Sequence, residues 1–275
     1  MAAEGDREAD GLRGIRVLVT RPADQAQSLC ELIAARGGHP LHIPALEIQP
    51  PRDPAPAREV VARLAQFDMA IFVSRNAIRC AHQLVGEAGG WPAGLRLAVV
   101  GRGSADALAA CGLEAHIRPA EAFNSEALLA LEEMWDVAGK RIVIFRGEGG
   151  RELLAKTLRE RGATVEYAEV YRRAMPEAAA EQLQHALSKN CIDIVTVTSN
   201  EGLQNLLRMA GPRERRLLRL PLVVISQRTA LLAARLGFSQ GPVIAHESSD
   251  QGLVAAMEAW YAVNHNERSR RVIHE

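Results

Sequence analysis

The sequence predicts an α/β fold of two open, mostly parallel sheets with helices on both faces. Three observations carry this. Short β-rich apolar runs alternate with helical patterns along most of the chain. The same pattern occurs twice, in one register 125 residues apart. Two proline-ended extended stretches, 42–51 (HIPALEIQPP) and 166–176 (EYAEVYRRAMP), divide the chain.

The elements follow in order. The run 15–20 is the first strand, and Pro22 is placed for the first turn of a helix that Gly37-Gly38 stops. The run 41–48 is extended. PPRDPAPAR then reads as a linker, because prolines break both periodic patterns. A helix near 58–66, a strand 69–73, a helix 76–85 and a strand 97–100 come next. A helix 104–111 stops at Gly112, and a short strand 115–117 and a helix 125–135 complete this part. The order then restarts: strand 141–145, helix 152–161, extended run 165–171, helix 178–187, strand 192–197, helix 200–209, strand 222–225 and helix 229–236. The last helix is 251–263. Alternation along 166–176 puts Tyr167, Glu169 and Tyr171 on one face and Ala168 and Val170 on the other.

The repeat keeps its register over three separated motifs. Arg16, Arg21, Arg36 and Gly37 match Arg141, Arg146, Arg161 and Gly162. Asp68 and Ser74 match Asp193 and Ser199. Leu97, Val99, Ala105 and Gly112 match Leu222, Val224, Ala230 and Gly237, with Ser104 opposite Thr229. One motif recurs by chance, but a register held three times indicates duplication.

Composition narrows the function classes. With 48% hydrophobic but 4% aromatic residues, the cores are aliphatic. The 33 basic and 33 acidic residues cancel, which gives no footprint for nucleic acid or a membrane surface. Cys30, Cys80, Cys111 and Cys191 form no CxxC and read as isolated core thiols of a reduced, cytoplasmic protein. The first residues lack the basic and apolar regions of a signal peptide. Residues 1–12 and 265–275 read as disordered tails. The histidines have no metal-ligand spacing, and His39 and His42 read as loop or surface residues.

In doubly wound sheets ligands bind beyond the carboxyl ends of the strands. Those ends here carry Thr20-Arg21, Ser74-Arg75-Asn76 and Gly101-Arg102-Gly103-Ser104. In the second half they carry Arg146-Gly147, Thr198-Ser199-Asn200 and Ser226-Gln227-Arg228-Thr229. Free N–H groups and the helix dipole at such points favour anions. The structural reading of the same residues is plain N-capping. Together the six termini suit a cleft for a polyanion. GRGSAD (101–106) lacks the third glycine of a dinucleotide fingerprint, and GEGGRE (147–152) lacks the Lys-Ser/Thr of a P-loop. Positions where the halves differ lie outside shared fold needs, and Tyr171 against Leu46 is the clearest. Tyr171 is either an ordinary strand aromatic or a ligand-facing phenol. A phenol titrates near pH 10 and is an acid at neutral pH.

VLVTRP (17–22), the segment Pro44–x–x–x–Ile48, FVSRNA (72–77), VVGRGSADAL (99–108) and SEALL (125–129) open a longer pattern. IVIFRGEGGRELL (142–154), EVYRR (169–173), VTSNEGL (197–203) and ISQRTALLAARLG (225–237) continue it. In this order and spacing the chain resembles the uroporphyrinogen-III synthase family over about 14–263. The resemblance implies two similar flavodoxin-like α/β domains with parallel sheets, joined by two antiparallel linker strands near 42–51 and 166–176. It assigns 14–46 with 174–264 to one discontinuous domain and 51–168 to the other. Periodicity alone is equally compatible with two contiguous halves.

The resemblance also implies the reaction. Hydroxymethylbilane, a linear tetrapyrrole with eight carboxylates, is closed with inversion of ring D and loss of water to uroporphyrinogen III. That places the chain in haem, sirohaem and cobalamin biosynthesis as a cytoplasmic monomer using no cofactor or metal. Tyr171 matches the tyrosine that helps the hydroxyl leave. Thr20, Arg21, Ser74, Asn76, Gly101, Ser104, Arg146, Ser199, Asn200, Ser226 and Thr229 are expected to bind substrate. Ser226 stands where the family motif has glycine. The partner is the substrate, with room for transient hand-over from hydroxymethylbilane synthase; neither nucleic acid nor membrane is expected. The alternative is a two-lobed binding or regulatory module without catalysis.

Overall fold

The computed structural model describes residues 11–120 and 124–272, the stretch 265–272 by backbone alone. The chain begins with β1 (Arg16–Val19), α1 (Ala23–Ala35) and β2 (His39–His42). It continues through β3 (Glu47–Gln49), α2 (Ala55–Ala62), β4 (Met69–Phe72), α3 (Arg75–Glu87), β5 (Arg96–Val99), α4 (Arg102–Ala110) and α5 (Ser125–Leu129). Next come β6 (Arg141–Gly147), α6 (Leu153–Glu160) and β7 (Thr164–Ala174). It closes with α7 (Glu177–Ser188), β8 (Ile194–Val197), α8 (Asn200–Ala210), α9 (Glu214–Leu217), β9 (Leu222–Val224), α10 (Gln227–Arg235), β10 (Val243–Ile244) and α11 (Asp250–Val272).

Two compact units result: residues 1–47 with 174–275, and residues 48–173. The sheet of the first has strand order β10-β9-β8-β1-β2, and the second β3-β7-β6-β4-β5. Pairs β1–β2, β1–β8, β8–β9 and β9–β10 are parallel, as are β6–β7, β4–β6 and β4–β5. Matching repeat positions occupy matching places: β1 and β6 are each flanked by β2 and β7 on one side and β8 and β4 on the other. The second unit enters the same order at a different point in the chain.

Both faces of each sheet are covered, so strand residues are apolar in both directions. In β1, Leu18 packs into one core, and Val17 and Val19 into the other. In β6, Val143 and Phe145 face one core, and Ile142 and Ile144 the other. The cores are mostly aliphatic, as composition requires. The largest aromatic group is the buried pair Phe72–Phe145, stacked at 5.2 Å, with Trp91 edge-on to both.

The repeat identities are fold requirements. Asp193 accepts the backbone N–H of Arg16 at 2.9 Å, and Asp68 that of Arg141 at 2.7 Å. Gly37, Gly112, Gly162 and Gly237 all have positive φ just past helix ends, where a Cβ is disfavoured. Ser74 and Ser199 cap α3 and α8.

Several expectations change. The extended run 41–48 is interrupted: β2 ends at His42 and β3 starts at Glu47, with Pro44 unable to donate to a ladder between them. Half of the expected linker is helix α2, because Pro54 and Pro56 sit in its N-cap and first turn, where a missing N–H costs nothing. The strand 115–117 is a single bridge, Ile117 to Ala98. The helix 125–135 ends at Leu129 and gives way to a 3-10 turn, Glu132–Met134. Short elements α9 and β10 were not foreseen. The four cysteines are half-buried rather than core, on helix flanks or helix ends; burial nevertheless pushes the Cys30 thiol up. His39 and His42 lie in strand β2 rather than in a loop, and His39 is at the surface as expected.

The tails also differ. Leu12, assigned to the disordered N-terminal tail, is fully buried; residues 1–10 lie outside the described residues. Helix α11 runs to Val272, since no glycine or proline follows Gly252 to stop it; 273–275 lie outside the described residues.

Strict alternation fails in β7. Glu169 pairs with Arg146 and Tyr171 with Gly147, so a bulge skips Val170. The extra residue turns Tyr171 into the core that holds Ala168 and Val170, while Tyr167 packs against the opposite one.

At the far end of β7, Arg63 grips Glu166 with two bonds of 2.9 and 2.6 Å. Arg63, with Arg141 behind it, holds this carboxyl below its usual range. A depressed folded-state pKa contributes stability above the unfolded carboxylate value, about 4.3, and loses it as pH falls through the folded value. Glu166→Gln should therefore lower the urea midpoint at pH 7, with the difference from wild type shrinking to nothing in acid. An equal difference at both pH values would refute the pairing.

Candidate functional site

A cavity of about 390 Å³ lies in the second unit at the carboxyl ends of its strands. Arg146, the Gly147–Gly150 loop, Tyr167 and Tyr171 line it, with Asn124 and Ser125 at the start of α5. Its position follows from the fold: β6 delivers Arg146, and β7 delivers both tyrosines.

Arg146 is 5% exposed and held from several sides. Its guanidinium lies 4.5 Å from the centre of the Tyr167 ring. It bonds Glu152 at 3.0 Å and stands 3.8 Å from Glu169. Tyr167 donates its hydroxyl to the other oxygen of Glu152 at 2.6 Å. The bonds from Tyr167 and Arg146 hold the Glu152 carboxyl below its usual range. Burial and the same carboxylate push the Tyr167 phenol up. A charged, desolvated Arg146 is thus fixed in one orientation.

The loop after Arg146 has glycine where geometry demands it. Gly149 and Gly150 have φ of 65° and 139°. A Cβ on Gly147 would lie 2.7 Å from two ring carbons of Tyr171. Glu148 N–H donates to the Tyr171 carbonyl at 2.8 Å, closing the loop against β7.

Tyr171 is 2% exposed, and its hydroxyl is 3.1 Å from Ser74 Oγ. Ser74 also accepts Ala77 N–H at 3.1 Å as the cap of α3. Of the residues expected in this unit, Tyr171 and Arg146 line the cavity, and Ser74 touches Tyr171. Asn76, Gly101 and Ser104 do not line it. Asn76 is half-buried in the first turn of α3, Gly101 caps α4 through its backbone, and Ser104 is buried in that helix.

In the first unit the hydroxyls are engaged locally. Thr20 donates to the Thr196 carbonyl at 2.7 Å, tying β1 to β8. Arg21 pairs with Asp250 at the start of α11. The Arg21 carbonyl meets His42 Nε2 at 2.9 Å; a carbonyl only accepts, so that nitrogen carries a proton. Ser199 caps α8 by accepting Gly202 N–H at 3.0 Å. Thr229 donates to Asn200 Oδ1 at 2.9 Å. Its proton being used there, the 2.9 Å contact with Ser226 is a donation from Ser226. Ser226 also caps α10, a use for the side chain where the related motif has glycine.

Sequence reasoning missed Tyr167, Glu152 and the part of the glycine loop beyond Gly147 as parts of the site. Two signals were present: GEGG directly after a strand, and two of the chain's 3 tyrosines four positions apart. Among the described residues, no three His, Cys, Asp or Glu side chains are grouped to hold a metal, and no helix is long and apolar enough to cross a membrane.

Two duplicated, doubly wound units with polar groups at the strand ends define the class: a two-unit α/β protein with a cavity at the carboxyl ends of parallel strands in its second unit. The chain belongs to the uroporphyrinogen-III synthase family, whose model, described as uroporphyrinogen-III synthase HemD, matches residues 27–255. It is 35% identical over 247 residues to the uroporphyrinogen-III synthase of Salmonella typhimurium, covering 88% of this chain and 99% of that one. It is 33% identical to the Escherichia coli enzyme of the same name over 246 residues, with the same two coverages, 88% and 99%. A solved uroporphyrinogen III synthase from Thermus thermophilus aligns with TM-score 0.58 at 21% identity, over 90% of this chain and 100% of that one. The Helicobacter pylori structure gives 0.55 at 16%, over 91% and 99%. These two likenesses establish the shared fold.

Proposed function

We propose that this chain is the enzyme of tetrapyrrole synthesis that closes hydroxymethylbilane to uroporphyrinogen III, a lyase by virtue of the water it removes. The carrying observation is a phenol and a buried arginine facing one strand-end cavity, in a chain of this family. Tyr171 gives its proton to the ring-A hydroxymethyl oxygen, the C–O bond breaks, and water leaves. The azafulvenium cation that remains is attacked by ring D through its substituted carbon. Inversion through the spiro intermediate follows, and the proton lost as ring D regains aromaticity restores the phenol. Arg146, Arg151 and Arg173 around the cavity suit the substrate's carboxylates. Positioning and electrostatics supply most of the acceleration.

The half-buried thiols, none of them in a disulfide, suit work in the reducing cytoplasm. The substrate reaches the enzyme from hydroxymethylbilane synthase, by diffusion or transient hand-over. The test is the isomer assay: generate hydroxymethylbilane in situ, add the purified protein without metal or cofactor, oxidise, and separate the uroporphyrins. Isomer III should predominate. A folded protein that leaves isomer I, the uncatalysed product, would overturn the reading in favour of a non-catalytic module.

A further inference from the structure

The two repeats act as an internal control on the serine at the strand end. Ser74 and Ser199 hold the same repeat position and do the same work: each accepts one N–H from the first turn of the helix it caps, at 3.1 and 3.0 Å. Capping is therefore what the fold asks of this serine. In the second unit Ser74 has an additional partner, the Tyr171 hydroxyl at 3.1 Å. The first unit has Leu46 at the matching position, with no hydroxyl to meet. A third position changes in concert. Gly147, where a Cβ would strike the Tyr171 ring, matches Pro22. The capping serine is common to both units; the phenol and its glycine seat belong to the second alone.

Counting protons permits the bond to run from Ser74 to Tyr171. Ser74 Oγ already accepts from Ala77, and its own O–H is left to donate. If it donates to the phenol oxygen, the Tyr171 proton is free to face the cavity that Tyr171 lines. As that proton leaves, negative charge collects on an oxygen already bonded to the capping residue of a 13-residue helix. A helix N-terminus favours that charge, and a hydrogen bond to an ion is stronger than one to a neutral group.

We propose that Ser74 is a positioning residue for proton transfer from Tyr171: it donates to the phenol oxygen, aims the phenol proton into the cavity, and stabilises the phenolate as it forms, while Gly147 provides the space for the ring. This rests on the synthase reading. The Tyr171 O–H bond breaks as a new O–H bond forms on the substrate hydroxyl, the C–O bond breaks with its electron pair going to the departing water, and Ser74 keeps its own proton throughout.

The experiment compares wild type, Ser74→Gly, Ser74→Thr, Tyr171→Phe and the Ser74→Gly/Tyr171→Phe pair in the isomer-III assay, with rates normalised to folded protein. Glycine is a serviceable N-cap, so Ser74→Gly removes the hydroxyl with little loss of the helix start. Its kcat should fall about tenfold with KM unchanged. Threonine, which caps and donates, should restore most of the rate. In the Tyr171→Phe background Ser74→Gly should cost nothing further, because its partner oxygen is gone. A purely structural serine would give the same loss in both backgrounds, or a loss that threonine does not rescue; either result, or a Ser74→Gly enzyme with full kcat, overturns the proposal. A shared folding defect cancels in the comparison of backgrounds. Isomer I alone from wild type fails the synthase reading itself, which keeps the two failures apart.

Discussion

Tyr171→Phe should lower isomer-III turnover by about a hundredfold or more, the usual contribution of a positioned general acid, while leaving the protein folded. The ring stays in its core, and what is lost is one oxygen and its 3.1 Å bond to Ser74. A neutral hydrogen bond of this kind contributes about 0.5–1.5 kcal/mol, so the melting temperature should move by a few degrees at most. Steady-state rates beside a thermal melt decide the matter. A variant that turns over at the wild-type rate removes Tyr171 from the mechanism, whatever its melting temperature. One that loses rate only in proportion to unfolded protein makes Tyr171 a packing residue.

The second large effect is expected at Gly147. This glycine is needed for room: its Cβ would lie 2.7 Å from the Cε2 and Cζ atoms of a ring that is itself 2% exposed. Tyr171 cannot step back freely, because Ser74 and the Glu148 N–H bond hold both its ends. Gly147→Ala should therefore cost about 1–3 kcal/mol in stability, as overpacking does. It should also displace the hydroxyl by enough to lower kcat by about ten- to a hundredfold. Combining it with Tyr171→Leu, which restores the residue type of the other repeat, should recover the stability and leave the activity lost. If Gly147→Ala is as stable and as active as wild type, the close seat of the ring is not a constraint.

The fold was legible because its signals are local. Strand and helix patterns alternate over short windows. The glycines that end helices and the serines that start them stand at fixed offsets and recur in both repeats. The repeat identity of Asp193 and Asp68 is different in kind: each accepts a backbone N–H from a strand far away in the chain, so its pattern is visible in the sequence while its cause is tertiary. What misled were features decided by neighbours. Pro54 and Pro56 look like linker residues until the helix that tolerates them in its first turn is seen. The helix pattern at 125–135 breaks at Leu129, and the expected tail continues as helix.

The site was legible in part for the same reason. Tyr171 and Arg146 could be singled out, one because the repeats differ there, the other because it follows a strand. Thr20, Ser226 and Thr229 were equally visible, yet their hydroxyls are spent on Thr196, on the cap of α10 and on Asn200. Their residue types are the same whether they cap a helix or meet a ligand, so composition at a strand end cannot separate the two uses.

By itself the sequence determined the α/β class, the duplication, the family pattern and a short set of polar strand ends, because each is written in residue type and spacing. The tertiary structure alone decided that a bulge at Val170 turns Tyr171 away from the face of Tyr167, that Gly147 is the floor under its ring, and that Ser74, distant in sequence, meets its hydroxyl. Those facts depend on where strands β6 and β7 and the start of α3 come together. That placement is fixed by packing and hydrogen bonding between residues far apart in the chain, which no local pattern encodes.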